Sequence, residues 1–140
     1  MPEAANTKVF VAEDDASVLE LLRVRLELAG YHTFYARDGH RAVEAIRNVA
    51  PHVIVLDIGL PHLDGFGVLQ SLRADRRFKD TPVLMLTARH AQSDVQRSLA
   101  CGAQDYLTKP FDDKVFLARV GRLAALSSNR PASLSKQVYL

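Results

Sequence analysis

Apolar residues along this chain form short continuous runs that alternate with longer stretches of helical spacing. Runs at 8–12, 53–57 and 83–87 are almost wholly apolar, which is typical of strands buried on both faces of a parallel sheet. A more polar run at 31–36 predicts an edge strand, and a short run at 104–107 predicts a fifth strand. The pattern therefore predicts five strands, each followed by a helix.

The helix boundaries are predicted from capping residues and helix breakers. For the first helix, Ser17 and Glu20 have capping-box spacing, Asp15 is the simplest N-cap, and Gly30 marks the end. The second helix has an acidic cap and a proline stop, and the third starts after an Asp-Gly turn. The apolar stripes of these three helices comprise Leu19, Leu22, Leu26, Ala29, Ala42, Val43, Ile46, Val49, Phe66, Leu69 and Leu72.

The fourth helix, over 92–101, has the weakest apolar stripe. Only Val95, Leu99 and Ala100 are clear anchors, and Gly102 ends the helix. Few anchors indicate low local stability, so we expect this helix to be able to move.

The fifth helix is predicted to start at Asp112 or Asp113, and its apolar stripe is stronger. The members of that stripe are Val115, Phe116, Val120, Leu123 and Ala124. Residues 1–7 are expected to be a loose lead-in and residues 127–140 a flexible tail or linker, which leaves one domain over 8–126.

Five alternations of strand and helix predict a doubly wound α/β fold of flavodoxin-like (βα)5 type. The natural order for its five-stranded parallel sheet is 2-1-3-4-5. That order brings four strand ends to one edge, where they carry Glu13 and Asp14, Asp57, Thr87 and Lys109. Open α/β sheets bind their ligands at this carboxyl edge.

Composition narrows the function classes. A length of 140 residues fits one domain, and a net charge of +2 gives no general reason to expect nucleic acid or an anionic membrane as a partner. The single cysteine, Cys101, excludes an internal disulfide and fits a reducing compartment. No signal peptide or apolar span is evident, so a cytoplasmic location is expected.

The predicted edge favours metal-assisted phosphoryl transfer. Neighbouring carboxylates repel one another, and Mg²⁺ or Mn²⁺ would relieve that repulsion. Asp14 and Asp57 can coordinate such a cation directly, and Glu13 through water. Lys109 and Thr87 suit the oxygens of a phosphoryl group. Because a carboxylate can itself be a nucleophile, Asp57 is the candidate acceptor.

Four motifs stand in order at the predicted strand ends: EDD at 13–15, DxxLPxxDG at 57–65, LTA at 86–88 and DYLTKPF at 105–111. Together they resemble the receiver domain of two-component response regulators. The resemblance covers about residues 8–126.

The resemblance implies that Asp57 accepts a phosphoryl group from a sensor histidine kinase or a histidine phosphotransfer protein. The implied Mg²⁺ ligands are Glu13 (through water), Asp14, Asp57 and the carbonyl oxygen of Gly59. The implied phosphoryl ligands are Thr87, Lys109 and the backbone N–H groups of Ile58 and Ala88. Lys109 and Pro110 would be joined by a cis peptide bond.

The resemblance also implies a switch. Thr87 would move inward and Tyr106 would rotate, which changes the surface of the fourth helix, fifth strand and fifth helix that a downstream protein reads. The domain would catalyse its own phosphorylation and dephosphorylation, and not act on a separate metabolite. We expect a monomer or a weak phosphorylation-dependent dimer, because Asp105, Arg97 and Arg119 fit a dimer charge network but Val115 does not.

Three alternatives remain at this point. The chain could be the receiver module of a longer DNA-binding regulator, although these residues themselves offer no nucleic-acid interface. A phosphatase of the haloacid dehalogenase type would need an acid where Gly59 stands. A flavodoxin-like nucleotide or flavin binder would place Gly, Ser or Thr where residues 13–15 are acidic.

Overall fold

The computed structural model describes residues 6–88 and 92–128 as alternating strands and helices. The elements are β1 Lys8–Ala12, α1 Ala16–Leu28, β2 His32–Ala36, α2 Gly39–Val49, β3 Val53–Asp57, α3 Gly65–Arg73, β4 Val83–Thr87, α4 Gln92–Ala100, β5 Asp105–Thr108 and α5 Asp113–Ser128. Within these residues no helix is long and apolar enough to cross a bilayer.

The five strands form one parallel sheet in the order β2-β1-β3-β4-β5, which confirms the predicted topology. Strands β3 and β4 are buried along their whole length, as their continuous apolar runs predict. Strand β2 lies at the edge and exposes His32 and Tyr35.

Alternate side chains of the sheet enter two apolar layers. Helices α2 and α3 cover one face, where Ile46 and Leu69 pack with Phe10 of β1. Helices α1 and α5 cover the other face, where Leu22 and Phe116 pack with the opposite side chains of the same strands. Each such buried side chain contributes about 1.5–3 kcal/mol, so the two layers hold the carboxyl edge in place.

The start of α1 shows which of its two predicted caps forms. Asp15 is the N-cap, and its carboxylate accepts hydrogen bonds from the N–H groups of Ser17 and Val18. The capping box of Ser17 and Glu20 is wrong, because Ser17 already lies inside the helix. Gly30 follows with φ 98°, a left-handed conformation that suits glycine at a helix end.

The predicted apolar stripe of α4 is partly wrong. Leu99 is 49% exposed and Ala100 is exposed, whereas Ser98 is buried. Burial of Ser98 is tolerated because its hydroxyl donates to the carbonyl oxygen of Asp94 at 2.8 Å. A hydropathy pattern does not show that a serine hydroxyl has a hydrogen-bond partner, so the sequence predicted the wrong buried face for this helix.

Helix α5 differs from its prediction in two details. Val115 is exposed on the outer face, while Phe116, Val120 and Leu123 are fully buried. The helix continues to Ser128, so the first two residues of the predicted tail are helical. The rest of that tail, 129–140, and residues 1–5 of the predicted lead-in lie outside the described residues.

Candidate functional site

The carboxyl edge of the sheet positions four polar side chains through backbone hydrogen bonds. Asp57 and Thr87 are the last residues of β3 and β4, and both are buried. The N–H of Glu13 donates to Ala36 O at 3.1 Å, and the N–H of Lys109 donates to Thr87 O at 2.7 Å. Ladder pairing therefore continues past the strands and fixes these residues where the sequence predicts them.

Lys109 joins two of the carboxylates. Its Nζ lies 2.6 Å from Glu13 Oε1 and 3.5 Å from Asp57 Oδ2. Burial raises the pKa of Glu13, and the charge of Asp57 adds to this, while the hydrogen bond from Lys109 opposes it. Burial alone would lower the pKa of Lys109, but the hydrogen bond to Glu13 and the two carboxylate charges raise it. The lysine therefore remains a cation beside Asp57.

A cavity of about 520 Å³ opens in front of Asp57. It is bordered by the predicted acceptor, Asp57, and by the predicted phosphoryl ligands, Ile58, Thr87, Ala88 and Lys109. The fold therefore brings residues from Asp57 to Lys109, 52 positions apart in the sequence, to one surface.

The backbone N–H of Ile58 is a poorer phosphoryl ligand than the resemblance implies. It donates to Leu86 O at 2.9 Å and so continues the sheet ladder. The N–H of Gly59 instead donates to Asp57 Oδ1 at 3.2 Å. The structure therefore favours Gly59 over Ile58 as the amide donor beside the acceptor.

The predicted metal ligands are not gathered into one cluster. Asp14 is exposed and borders a neighbouring groove with Arg37, which donates two hydrogen bonds to the backbone oxygen of Asp14. Among the residues that the structure describes, no group of three or more His, Cys, Asp or Glu side chains is placed to hold a metal ion. Lys109 instead relieves the repulsion between Glu13 and Asp57, so the metal set that includes the Gly59 carbonyl stays a prediction.

The predicted switch residues lie next to the site. Thr87 is buried at the end of β4, and half-buried Tyr106 packs against one of the two apolar layers. The peptide bond between Lys109 and Pro110 is cis.

The contacts of Asp105 and Arg97 differ in part from the predicted charge network. Asp105 is buried and accepts hydrogen bonds from Arg119 at 2.8 Å and from Arg122 at 2.5 Å. Arg97 does not join this group, because its guanidinium lies over the ring of Phe66. No local motif signals a contact between side chains on separate elements, such as Arg122 with Asp105 of β5 or Arg97 with Phe66 of α3, so the sequence did not predict these two pairs.

The strand order and the grouped acidic, hydroxyl and lysine side chains agree with one family. A sequence model described as "Response regulator receiver domain" matches residues 9–121. The chain belongs to this family. Receiver domains serve phosphorelay signalling and are not enzymes that act on a separate metabolite, so the match also decides against the phosphatase and the flavin binder.

One curated relative is the DNA-binding dual master transcriptional regulator RpaA of Synechocystis sp. It is 41% identical over 124 residues, which is 89% of this chain and 52% of the relative. The receiver domain thus spans about half the length of this relative.

Solved structures agree with the fold. The receiver domain of the Francisella response regulator 1452 is 35% identical with a TM-score of 0.82, over 87% of this chain and 99% of that one. The receiver domain of sensor histidine kinase PA1611 from Pseudomonas aeruginosa is 28% identical with a TM-score of 0.79, over 85% and 98% of the two chains. That structure is described with a magnesium ion in its active site cleft.

Proposed function

We propose that Asp57 accepts a phosphoryl group from a phosphohistidine of a sensor histidine kinase or a histidine phosphotransfer protein. The observation that carries this proposal is the place of Asp57. Its carboxylate ends a buried strand, borders the cavity and has the Lys109 ammonium at 3.5 Å. The strand holds this carboxylate in position to attack phosphorus, and the Lys109 ammonium compensates the negative charge that the phosphoryl group adds.

The transfer is an in-line displacement at phosphorus. A carboxylate oxygen of Asp57 forms the new P–O bond while the P–N bond of the phosphohistidine breaks, and the imidazole nitrogen keeps that electron pair and takes up a proton. Lys109, the Thr87 hydroxyl and the N–H groups of Gly59 and Ala88 would stabilise the phosphoryl oxygens. Hydrolysis of the aspartyl phosphate by water at the same phosphorus would reset the domain.

The residues fit a bound Mg²⁺ or Mn²⁺ in donor type. Asp57, Asp14 and the carbonyl oxygen of Gly59 offer the hard oxygen ligands that these cations prefer, and Glu13 can hold a coordinated water. Because Asp14 is exposed, its carboxylate can turn towards Asp57 without disturbing the core. The cation would supply positive charge to the transferring phosphoryl group. The magnesium described for the PA1611 receiver supports this assignment.

The output surface is proposed to be α4, β5 and α5. Thr87 and Tyr106 link the site to this surface, and α4 has few buried side chains to hold it. A downstream protein would bind the altered surface, and the domain would be a monomer or a weak phosphorylation-dependent dimer. A receiver module within a longer DNA-binding regulator is the second candidate arrangement, because the similar RpaA is longer and is described as DNA-binding.

Intact-protein mass spectrometry tests the acceptor. After incubation with Mg²⁺ and acetyl phosphate, we expect one phosphoryl adduct on the native chain and none on Asp57→Asn. Asp94→Asn is the matched control, since Asp94 borders the same cavity but is neither a predicted phosphoryl ligand nor a predicted metal ligand, and it should still form the adduct. An adduct on Asp57→Asn would refute the proposal. If acetyl phosphate is inert, a phosphorylated histidine kinase replaces it as the donor in the same comparison.

A further inference from the structure

Arg97 places a second cation beside the cavity that holds Asp57. The residue lies on α4, and its guanidinium carbon is 4.1 Å from the ring centroid of Phe66 at the start of α3. Both side chains border the cavity in front of Asp57. This cation–π contact therefore bridges two helices across the mouth of the phosphorylation site.

The two ends of α4 are held very differently. Beyond its C-terminal end, the carbonyl oxygen of Gly102 accepts two hydrogen bonds from Arg73, at 2.7 and 3.1 Å. Ser98, the one fully buried side chain among those that the structure describes in the helix, lies close to this same end. The described side chains that precede it, at 93–97, are exposed or only partly buried. The beginning of α4 can therefore shift while its end stays in place.

Phosphorylation of Asp57 would add negative charge that attracts the guanidinium of Arg97. Lys109 already serves both Glu13 and Asp57, and a phosphoryl group would add negative charge and three acceptor oxygens. Among the described residues that border the cavity, Lys109 and Arg97 carry the positive charges. The planar guanidinium can donate two parallel hydrogen bonds to phosphoryl oxygens.

We propose that Arg97 is a ligand of the phosphoryl group on Asp57, and that Phe66 holds it off the site in the unphosphorylated state. The inference rests on the proposed function and adds a residue and a direction of movement to it. Phosphorylation would exchange an exposed cation–π contact for stronger charge-assisted hydrogen bonds. The guanidinium of Arg97 would then leave the ring of Phe66 and turn towards Asp57.

Binding of beryllofluoride, a phosphoryl analogue, in the presence of Mg²⁺ tests the proposal without catalysis. We expect Arg97→Gln to weaken binding about tenfold. This is the gain from one charge-assisted hydrogen bond in the bound state, less the cation–π contact that Arg97 gives up to form it. Arg97→Lys should weaken it less, because the charge remains but the planar fork is lost. Phe66→Leu should leave binding unchanged or tighten it, because the resting contact competes with the bound state. NMR titration of the backbone amides gives each dissociation constant.

Arg77→Gln is the matched control, since Arg77 also stacks on a ring, Phe78 at 4.9 Å, outside the residues that border the cavity. It should bind beryllofluoride as the native chain does. Native affinity in Arg97→Gln, or equal weakening in Arg97→Gln and Phe66→Leu, would overturn the role of Arg97 and leave the acceptor assignment standing. Absence of binding in the native chain would instead contradict the proposed function and this inference together. Thermal unfolding of each variant separates a folding defect from a binding defect.

Discussion

Charged side chains lie at both ends of the parallel sheet, but they bind different kinds of partner. At the carboxyl end, Lys109 contacts the carboxylates of Glu13 and Asp57. At the amino end, Arg73 donates to the backbone oxygens of Gly102 and Phe78. The carboxyl end thus pairs a lysine with carboxylates, whereas Arg73 at the amino end reaches backbone oxygens.

The same contrast extends along the amino end. The Lys8 ammonium donates to Val49 O at 3.0 Å, and the Lys8 N–H donates to His52 Nδ1 at 2.9 Å. Backbone groups are fixed by the fold and cannot exchange their partner without local unfolding. Carboxylates can exchange an ammonium for a metal ion or accept a phosphoryl group. We conclude that the amino end stabilises the fold, while the carboxyl end keeps contacts that chemistry can replace.

The largest expected effect on stability is at Arg73. Arg73→Ala removes charge-assisted hydrogen bonds to Gly102 O, Phe78 O and the Gln104 side chain, so the free energy of unfolding should fall by about 2–3 kcal/mol. Urea unfolding measures this, and the acetyl phosphate adduct on Asp57 should still form at a temperature where the variant is folded. Arg76→Ala, at an exposed arginine nearby, should change stability by less than about 0.5 kcal/mol. Equal losses in both variants would contradict the comparison.

Gln104 should show a smaller effect of the same kind. Its Oε1 accepts from the N–H of Val83 at 2.7 Å and from Arg73 at 3.1 Å. Gln104→Ala leaves the buried N–H of Val83 without this acceptor, at a cost of about 1–2 kcal/mol in the free energy of unfolding. Gln104→Glu keeps an acceptor in the same place, so urea unfolding should show a smaller loss. A larger loss in the glutamate variant would refute the hydrogen-bond explanation.

The sheet and the positions of its end residues could be predicted because burial on both faces leaves a continuous apolar run. Strands β1, β3 and β4 have the predicted bounds, and a parallel sheet then places whatever follows them at one edge. The grouping of Asp57, Thr87 and Lys109 follows from the strand order alone.

Contacts made by long side chains could not be predicted in this way. Arg73 and Arg97 reach partners 29 and 31 residues away in the sequence, at Gly102 and Phe66, and no periodic pattern encodes such distances. The hydrogen bond from the Ile58 N–H to Leu86 O could not be predicted for a related reason. Whether a ladder bond continues past a strand depends on the neighbouring strand and not on the local sequence.

Asp57→Asn is expected to separate function from stability. It should abolish the phosphoryl adduct but change the free energy of unfolding by less than about 1 kcal/mol, in either direction. The reason is that the variant loses the contact with Lys109 at 3.5 Å but also loses the charge repulsion with Glu13. Urea unfolding beside the native chain measures the difference. A loss as large as that of Arg73→Ala would show that the carboxyl end also holds the fold together.

The smallest effect should be a pH dependence at His52. Burial, and then the charge of Lys8, lower the pKa of His52 from its usual value of 6.5. The unfolded chain therefore binds more protons than the folded chain between the two pKa values, so stability should fall as the pH drops below 6.5 towards the folded pKa. Stability is lost because the protonated ring can no longer accept the hydrogen bond from the Lys8 N–H.

The variant His52→Asn tests this pH dependence. It retains an acceptor oxygen but does not titrate, so its urea midpoint should fall less than that of the native chain over this range. A constant difference between the two midpoints from about pH 8 to about pH 5 would show that His52 contributes nothing to the amino end.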